Sequence, residues 1–369
     1  MKILLTGSKG FIGKHLSFWL LRQGYEVLAL DLDNSDELPL LINQTNFIIH
    51  LAGTNRPQNS NEFYEGNYNL TKKIVDLLKE KNKSTPIIFA SSTQASLNND
   101  YGKSKRMAEL YLFESGLPVY VYRLANVFGK WGKPNYNSVC ATYCYNIAHN
   151  LPIEIRDPKY VIHFNYVDDV CQEFLNIIKS HASFSNIALS VEPAYDCTLG
   201  YLAKLLKYFK QTIESPDHLP DIHDEFELKL FETFCDYFSD EGFSFNFVQD
   251  NLGSFKEIYK SSKYGQISIN EALPKVRKGG HYHTFKKELF KTVVGKTKTR
   301  LRKIESDLIT DYLSGEADMK VIAINPGYTH DITNVGDKTS KTLMWVSDIF
   351  NEKSADTIKE DVDKHEKEN

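Results

Sequence analysis

At 369 residues the chain exceeds a usual single domain, so two are expected. Hydrophobic residues at 41% and charged residues at 25% are ordinary for a well-cored soluble protein, and a net charge of -4 leaves no basic footprint for nucleic acid. No apolar run reaches membrane-spanning length and "MKILLTG" breaks into glycine at once, which excludes a signal-peptide pattern and predicts a cytoplasmic protein. The five scattered cysteines read as small buried hydrophobes in a reducing compartment; Cys140 and Cys144 share a helix face and read as core.

From the N-terminus to about residue 180, the apolar runs "KILLTG", "EVLALD", "FIIHLAG", "PIIFASS" and "VYVYRLANV" alternate with amphipathic stretches such as "GKHLSFWLLRQG" and "NLTKKIVDLLKEKN". That alternation predicts a doubly wound parallel sheet of Rossmann type, covered on both faces. Residues 198 to 213 predict another helix, and "LPDIHDEFELKLFETFCDYF" is helical or irregular. Near Phe243 the texture changes to apolar/polar alternation with turn punctuation, which predicts antiparallel strands. The expected division is an α/β domain over 1–243, a small all-β domain over 244–352 joined around residues 240 to 246, and a disordered charged tail over 353–369.

"LLTGSKGFIGKHL" places Gly7, Gly10 and Gly13 between the first strand and the first helix, where a backbone without Cβ atoms can approach a pyrophosphate at the helix N-terminus. Asp31, at the end of the second strand, can accept hydrogen bonds from an adenosine ribose, with Asp33 as a rival. Lys9 pulls the other way, because it could meet a 2′-phosphate, and NADH and NADPH both remain open. "NNDYGKSKRMAE" puts Tyr101 and Lys105 four apart on one helix face. A free phenol has a pKa near ~10. A neighbouring lysine cation is expected to lower it and make Tyr101 a proton shuttle. Ser92, at the end of "FASS", is expected to hold a substrate carbonyl, with Ser91 or Thr93 as alternatives.

On these motifs the first 180 residues resemble an extended short-chain dehydrogenase/reductase of the sugar-nucleotide branch. "HLAG" (50–53), "RLANVFG" (123–129) and "FNYVDDV" (164–170) match further segments of that branch, although only nine positions separate Ser92 from Tyr101. The resemblance implies a cofactor site of Gly7, Lys9, Gly10, Phe11, Ile12, Gly13, Asp31, Leu51, Ala52, Gly53, Tyr101 and Lys105. It implies catalysis by Ser92, Tyr101 and Lys105, and sugar or diphosphate contacts from Arg123, Asn126 and Lys133, with a structural Arg123 as the alternative.

In the second domain "GGHYHTFKKELF" sets His281 and His283 on one face of a strand, since side chains alternate, with Glu288 five positions later. Together with His330 of "NPGYTHDITN" they resemble the two cupin motifs and predict a zinc site in a jelly-roll domain. The reading without metal keeps the histidines as acid and base. Nearly the whole chain resembles the family of bifunctional capsular-polysaccharide UDP-2-acetamido-2,6-dideoxy-L-talose synthases, most clearly in "FGKWGKPNYNSVCATYCYNIAHN". The resemblance implies a homodimer in which the cupin epimerises C3 of a UDP-4-keto-6-deoxy-N-acetylhexosamine and the first domain reduces the C4 ketone. The product would lead towards UDP-N-acetyl-L-fucosamine for capsule or O-antigen. This chain departs from the family pattern at Leu252 (arginine), Lys275 (glycine) and Thr284 (a third histidine); Leu252 and Thr284 favour an alternative, a UDP-sugar 4-ketoreductase whose cupin is structural or dimerising.

Overall fold

The computed structural model describes residues 1–180, 187–214, 220–238, 247–261, 263–318, 320–349 and 356–364. Two compact units divide the chain, Met1–Lys207 with Asp224–Phe238 and Tyr208–His223 with Ser239–Asn369. The expected boundary at 243/244 and its joining segment lie outside the described residues. The second unit also claims Tyr208–His223, which the sequence reading gave to the first. Hydrogen bonds explain it: the Asp221 amide donates to the Tyr208 hydroxyl and the Ser261 hydroxyl to the Asp221 carboxylate.

In the first unit β1 (Lys2–Thr6), β2 (Glu26–Leu30), β3 (Phe47–His50), β4 (Ile87–Ser92) and β5 (Val119–Leu124) form one sheet in the order β2-β1-β3-β4-β5, all parallel. Burial on both faces explains why these strands are apolar without a polar side. Ile3 and Leu5 pack with Leu16, Leu20, Val170 and Phe174 of the helices Phe11–Arg22 and Val167–Ser180. Leu4 between them packs on the opposite face, with Ile74 and Val75 of Leu70–Glu80 and Ala108 of Asp100–Phe113. The chain reverses direction across the sheet at β1, and the carboxyl ends of the neighbours β1 and β3 are where a doubly wound sheet opens its ligand crevice, with the end of β4 alongside. A smaller sheet follows, with β6 (Asn126–Phe128) parallel to β7 (Val161–Tyr166) and β8 (Tyr195–Thr198) antiparallel to it.

The second unit is antiparallel throughout its two sheets. One runs β16-β13-β18-β11-β10-β9, with β9 (Phe247–Asp250), β10 (Gly253–Ser261), β11 (Gly265–Ala272), β13 (Glu288–Val294), β16 (Ile322–Ile324) and β18 (Ser340–Val346). The other runs β15-β14-β17-β12-β19, with β12 (Arg277–Tyr282), β14 (Lys296–Lys303), β15 (Ile309–Gly315), β17 (Tyr328–Asn334) and β19 (Ile358–Lys359). Phe290, Ile322, Ile324 and Met344 of the first sheet close on Leu301 and Ile332 of the second. Much of the remaining buried surface is polar, including Gln266, Ser268, Asn270, Thr299 and Thr342.

Two expectations need correction. The charged tail was expected to be disordered, but Ile358–Lys359 pairs with β12 and Val362 is buried, because backbone groups at the open edge of β12 accept an extra strand. Of the five cysteines, four are buried as free thiols and Cys235 is exposed.

Candidate active sites

Gly7 turns the chain out of β1 at φ +73°, a left-handed conformation that a side chain would strain. A Cβ on Gly13 would lie 2.2 Å from the Gly7 carbonyl oxygen, so the helix Phe11–Arg22 can begin this close to the turn only with glycine there. Gly10 is its N-cap and offers no side chain, and no acid stands in the first turn, which leaves the N-terminal amides around Phe11 and Ile12 without a side-chain acceptor. That cradle fits the pyrophosphate of a dinucleotide. Leu51–Gly53 forms its neighbouring wall: the Ala52 amide donates to the Thr6 hydroxyl at 3.0 Å, and Thr6 joins His50 and Thr71 in a buried network. The acids weighed for the ribose already hold the loop, since Asp31 accepts from the Ser8 hydroxyl at 2.5 Å and the Lys9 amide at 3.1 Å, and Asp33 pairs with the Lys9 ammonium at 2.5 Å.

β4 and the helix Asp100–Phe113 bring the catalytic candidates together. Between them lie only a 3-10 turn, Thr93–Ser96, and the N-cap Asn99, whose side chain accepts the Gly102 amide at 2.7 Å. This trimmed connection works because Gly102 has no Cβ; one there would stand 2.2 Å from the Gln94 carbonyl oxygen. The Ser92 hydroxyl lies near enough to the Tyr101 phenol to favour its ionised form, whereas Ser91 donates to Glu109 at 2.6 Å. Thr93 is exposed. Ser92 is thus the hydroxyl beside the proton donor.

The electrostatics differ from the expectation. Burial raises the Tyr101 phenol above its usual value, and the Ser92 hydroxyl opposes that only in part. Lys105 is not among the groups that act on it. Its ammonium is buried, donates to the Ala90 carbonyl at 3.0 Å, and is pushed down by burial to about 8, with Glu109 opposing. Burial, with the Ser92 hydroxyl opposing it, and not the lysine charge, sets the direction of the phenol's shift.

Arg123, expected among the substrate contacts, gives Nε and Nη2 to the two oxygens of fully buried Glu109 at 2.9 and 2.6 Å. That fork ties β5 to the helix carrying Tyr101 and Lys105, the bracing role of the alternative reading. Asn126 donates to the His163 carbonyl at 3.2 Å, and the Lys133 ammonium lies 5.1 Å from the centre of the Tyr136 ring.

Two residues of this site went unnoticed in the sequence. Glu109 follows Lys105 by four positions, a spacing that could have found it. Asn67 had no local signal: it sits in a π-helical turn, accepts the Thr54 amide and donates to Ser104, so close to Gly53 that a Cβ there would lie 2.5 Å from its side-chain oxygen.

In the second unit, His281 and His330 stand opposite each other in the β12–β17 register, with ring centres 4.5 Å apart. His283 follows the end of β12, and Glu288 opens β13 in the other sheet. One ligand atom from each lies within 4.8 Å of the others. Glu288 Oε2 is buried without a hydrogen bond, 2.9 Å from His330 Nε2 and 3.5 Å from His283 Nε2. Burial would raise the Glu288 carboxyl, but the two imidazoles outweigh it and hold it at about 2. Burial pushes His281 down to about 4, which keeps it neutral and able to ligate. Three imidazoles and a carboxylate, nearly all buried and converging on one point, fit a first-row divalent cation such as zinc. The set opens into a cavity of about 590 Å³ lined also by Phe255, Gln266, Asn270, Lys278 and Lys286.

The family departures have visible consequences. Thr284 does not reach for the cation; its amide and hydroxyl both donate to Asp356. Lys275 occupies a left-handed position at φ +67°, where the motif glycine would sit without strain. Leu252 is half exposed beside β10. Asn334 serves the turn, donating to Ala272 and Lys338 carbonyls.

A glycine-cradled nucleotide crevice with a Ser–Tyr–Lys set defines the class. The chain belongs to the NAD-dependent epimerase/dehydratase family, whose profile matches residues 3–188, and a polysaccharide biosynthesis C-terminal domain matches residues 248–358. It is similar to the UDP-2-acetamido-2,6-beta-L-arabino-hexul-4-ose reductase of Pseudomonas aeruginosa, 36% identical over 97% of this chain and 98% of that protein. Among solved structures it is similar to the capsular polysaccharide assembling protein CapF of Staphylococcus aureus, 37% identical with a TM-score of 0.89, covering 98% of this chain and 100% of that one. A UDP-glucose 4-epimerase of Thermotoga maritima, 21% identical with a TM-score of 0.55 over 64% of this chain, shares the fold. No helix among the described residues is long and apolar enough to cross a membrane.

Proposed function

We propose that the chain is a two-step sugar-nucleotide enzyme: the cupin inverts C3 of a UDP-4-keto-6-deoxy-N-acetylhexosamine, and the first unit then reduces the C4 ketone to UDP-2-acetamido-2,6-dideoxy-L-talose. One observation carries the reading: two complete sets of reacting groups lie in one chain, Ser92–Tyr101–Lys105 in one unit and His281–His283–Glu288–His330 in the other.

In the reduction a nicotinamide bound in the glycine-lined crevice supplies the hydride. Ser92 holds the ketone oxygen, and Tyr101 gives its proton to that oxygen as C4 becomes tetrahedral. A phenol kept protonated by burial is the form that can donate, so the upward shift suits the reduction direction. Lys105, whose ammonium donates to the Ala90 carbonyl, would meet the nicotinamide ribose. In the epimerisation a base of the cavity takes the C3 proton from one face and a proton returns to C3 from the other, and a cation held by the four cupin residues would supply positive charge to the enolate between the two transfers. Lys278 and Lys286 line the same cavity and offer further positive charge.

The test is proton NMR of the 4-keto UDP-sugar with the protein in D₂O, nicotinamide withheld. Enzyme-dependent loss of the C3 proton signal is the expected result. No exchange over hours, with protein that still reduces the ketone once NADPH or NADH is added, would leave the second reading, a 4-ketoreductase with a structural cupin. Thr284 and Leu252, standing where the family has histidine and arginine, favour that version.

A further inference from the structure

We propose that residues 356–364 form a strap that holds the cupin ligands in place, with Asp356 as the positioning residue for His283. This rests on the reading of His281, His283, Glu288 and His330 as a cation site.

Asp356, only 7% exposed, acts on the ligand turn with both its main chain and its side chain. Its carbonyl oxygen meets His283 Nδ1. A carbonyl there selects the tautomer with hydrogen on Nδ1 and leaves the Nε2 lone pair facing Glu288. Its carboxylate collects the amides of Thr284 at 2.9 Å, Phe285 at 3.0 Å and Lys286 at 3.3 Å, and the Thr284 hydroxyl at 2.5 Å. Four donors on one carboxylate close the turn that leads from His283 towards Glu288. Thr284 therefore takes part in the site without ligating.

The strap also touches the other two histidine positions. β19 pairs with β12 at His281↔Lys359 and Tyr282↔Ile358, and the Glu360 amide donates to the Gly280 carbonyl at 3.1 Å. The Thr329 hydroxyl, one residue before His330, donates to the Glu360 carbonyl at 2.5 Å. At the far end, Arg302, 1% exposed, clamps the Val362 carbonyl at 2.6 Å, the Asp361 carbonyl at 3.0 Å and the Glu360 carboxylate at 2.5 Å. A buried guanidinium spent on main-chain carbonyls of the strap is an anchor, and the strap it anchors lies against all three histidine positions.

The experiment uses full-length protein, stripped of metal and titrated with zinc alone against a chromophoric chelator, with thermal unfolding of the zinc-free proteins measured alongside. Asp356→Ala keeps the main-chain carbonyl at His283 but removes the carboxylate that closes the ligand turn, and is expected to weaken zinc binding about 10-fold, the lower end of what losing a ligand-orienting group costs. Asp356→Asn, which keeps one acceptor oxygen, should recover part of that loss. Wild-type zinc affinity in Asp356→Ala, with a lowered zinc-free melting temperature, would overturn the proposal and make the strap a brace of the sheet. If Asp356→Ala does not fold, Thr284→Val replaces it: a measurable drop in zinc affinity supports the strap, and unchanged affinity overturns it. Wild-type protein that takes up no zinc would instead sink the cation site itself, a result distinct from the failure of the strap.

Discussion

The two units solve opposite problems. The first buries apolar strands on both faces of a parallel sheet and concentrates its polar chemistry at the strand ends. Ser92 ends β4, Gly7 follows β1, and Tyr101 and Lys105 ride the next helix one turn apart. The second carries its chemistry in its interior, where Glu288 of one sheet faces His281 and His330 of the other, and many buried side chains around them are hydroxyls and amides. A strand-end site is built from short local segments, so each piece can change alone. A site inside a sandwich depends on strands distant in sequence, and its ligands need bracing from outside the cavity.

The sharpest way to break this comparison is Tyr101→Phe. Ketone reduction should fall about 10²- to 10⁴-fold, the usual worth of a general acid, while C3 proton exchange continues. Parallel loss of both activities would mean that the two sites are not independent. Glu288→Gln, or chelation of the metal, should do the reverse: exchange in D₂O stops, and reduction of a substrate already inverted at C3 persists. Arg123→Leu tests the bracing inside the first unit. It leaves buried Glu109 with the Ser91 hydroxyl and only a distant Arg106, 3.9 Å away, and should cost about 3 kcal/mol of stability, measured by denaturant unfolding. The pH profile is a gentler probe. Lys105 with its pKa pushed down to about 8 is charged below that pH and neutral above it, so kcat for reduction should fall as pH rises through about 8. A profile flat to pH 10 would show that the lysine charge does not serve the reaction. The smallest effect is expected at Lys275→Gly, where relief of the left-handed backbone should stabilise the second unit by about 1 kcal/mol, seen as a higher melting temperature.

How far the sequence could be read follows the same division. Continuous apolar runs and spaced glycines disclosed the parallel sheet and its crevice, because both are local signals. Tyr101 and Lys105 were legible as a pair, but their electrostatics were not. The lysine was expected to lower the phenol, and only the fold reveals that burial acts on both groups and that Ala90 takes the ammonium. Arg123 was legible as important and not as Glu109's partner, since the pair joins a strand to a helix 14 positions away. In the cupin the four residues of the His/Glu cluster could be found by motif, whereas Asp356 could not. Its acceptors of hydrogen bonds serve a turn 72 residues earlier, and a lone aspartate near a charged chain end carries no pattern. Ile358 and Val362 are the trace that could have been noticed: two apolar residues inside an otherwise charged stretch.

The position of β19 has a consequence for how the protein is made. Synthesis runs from the N-terminus, and domains fold as units during it, so the crevice around Gly7 can be assembled while the cupin is still unwritten. The strand that braces His281 lies within the last dozen residues of the chain. A chain released before residue 356 would have its nucleotide crevice encoded whole and the edge of β12 unpaired at His281 and Tyr282.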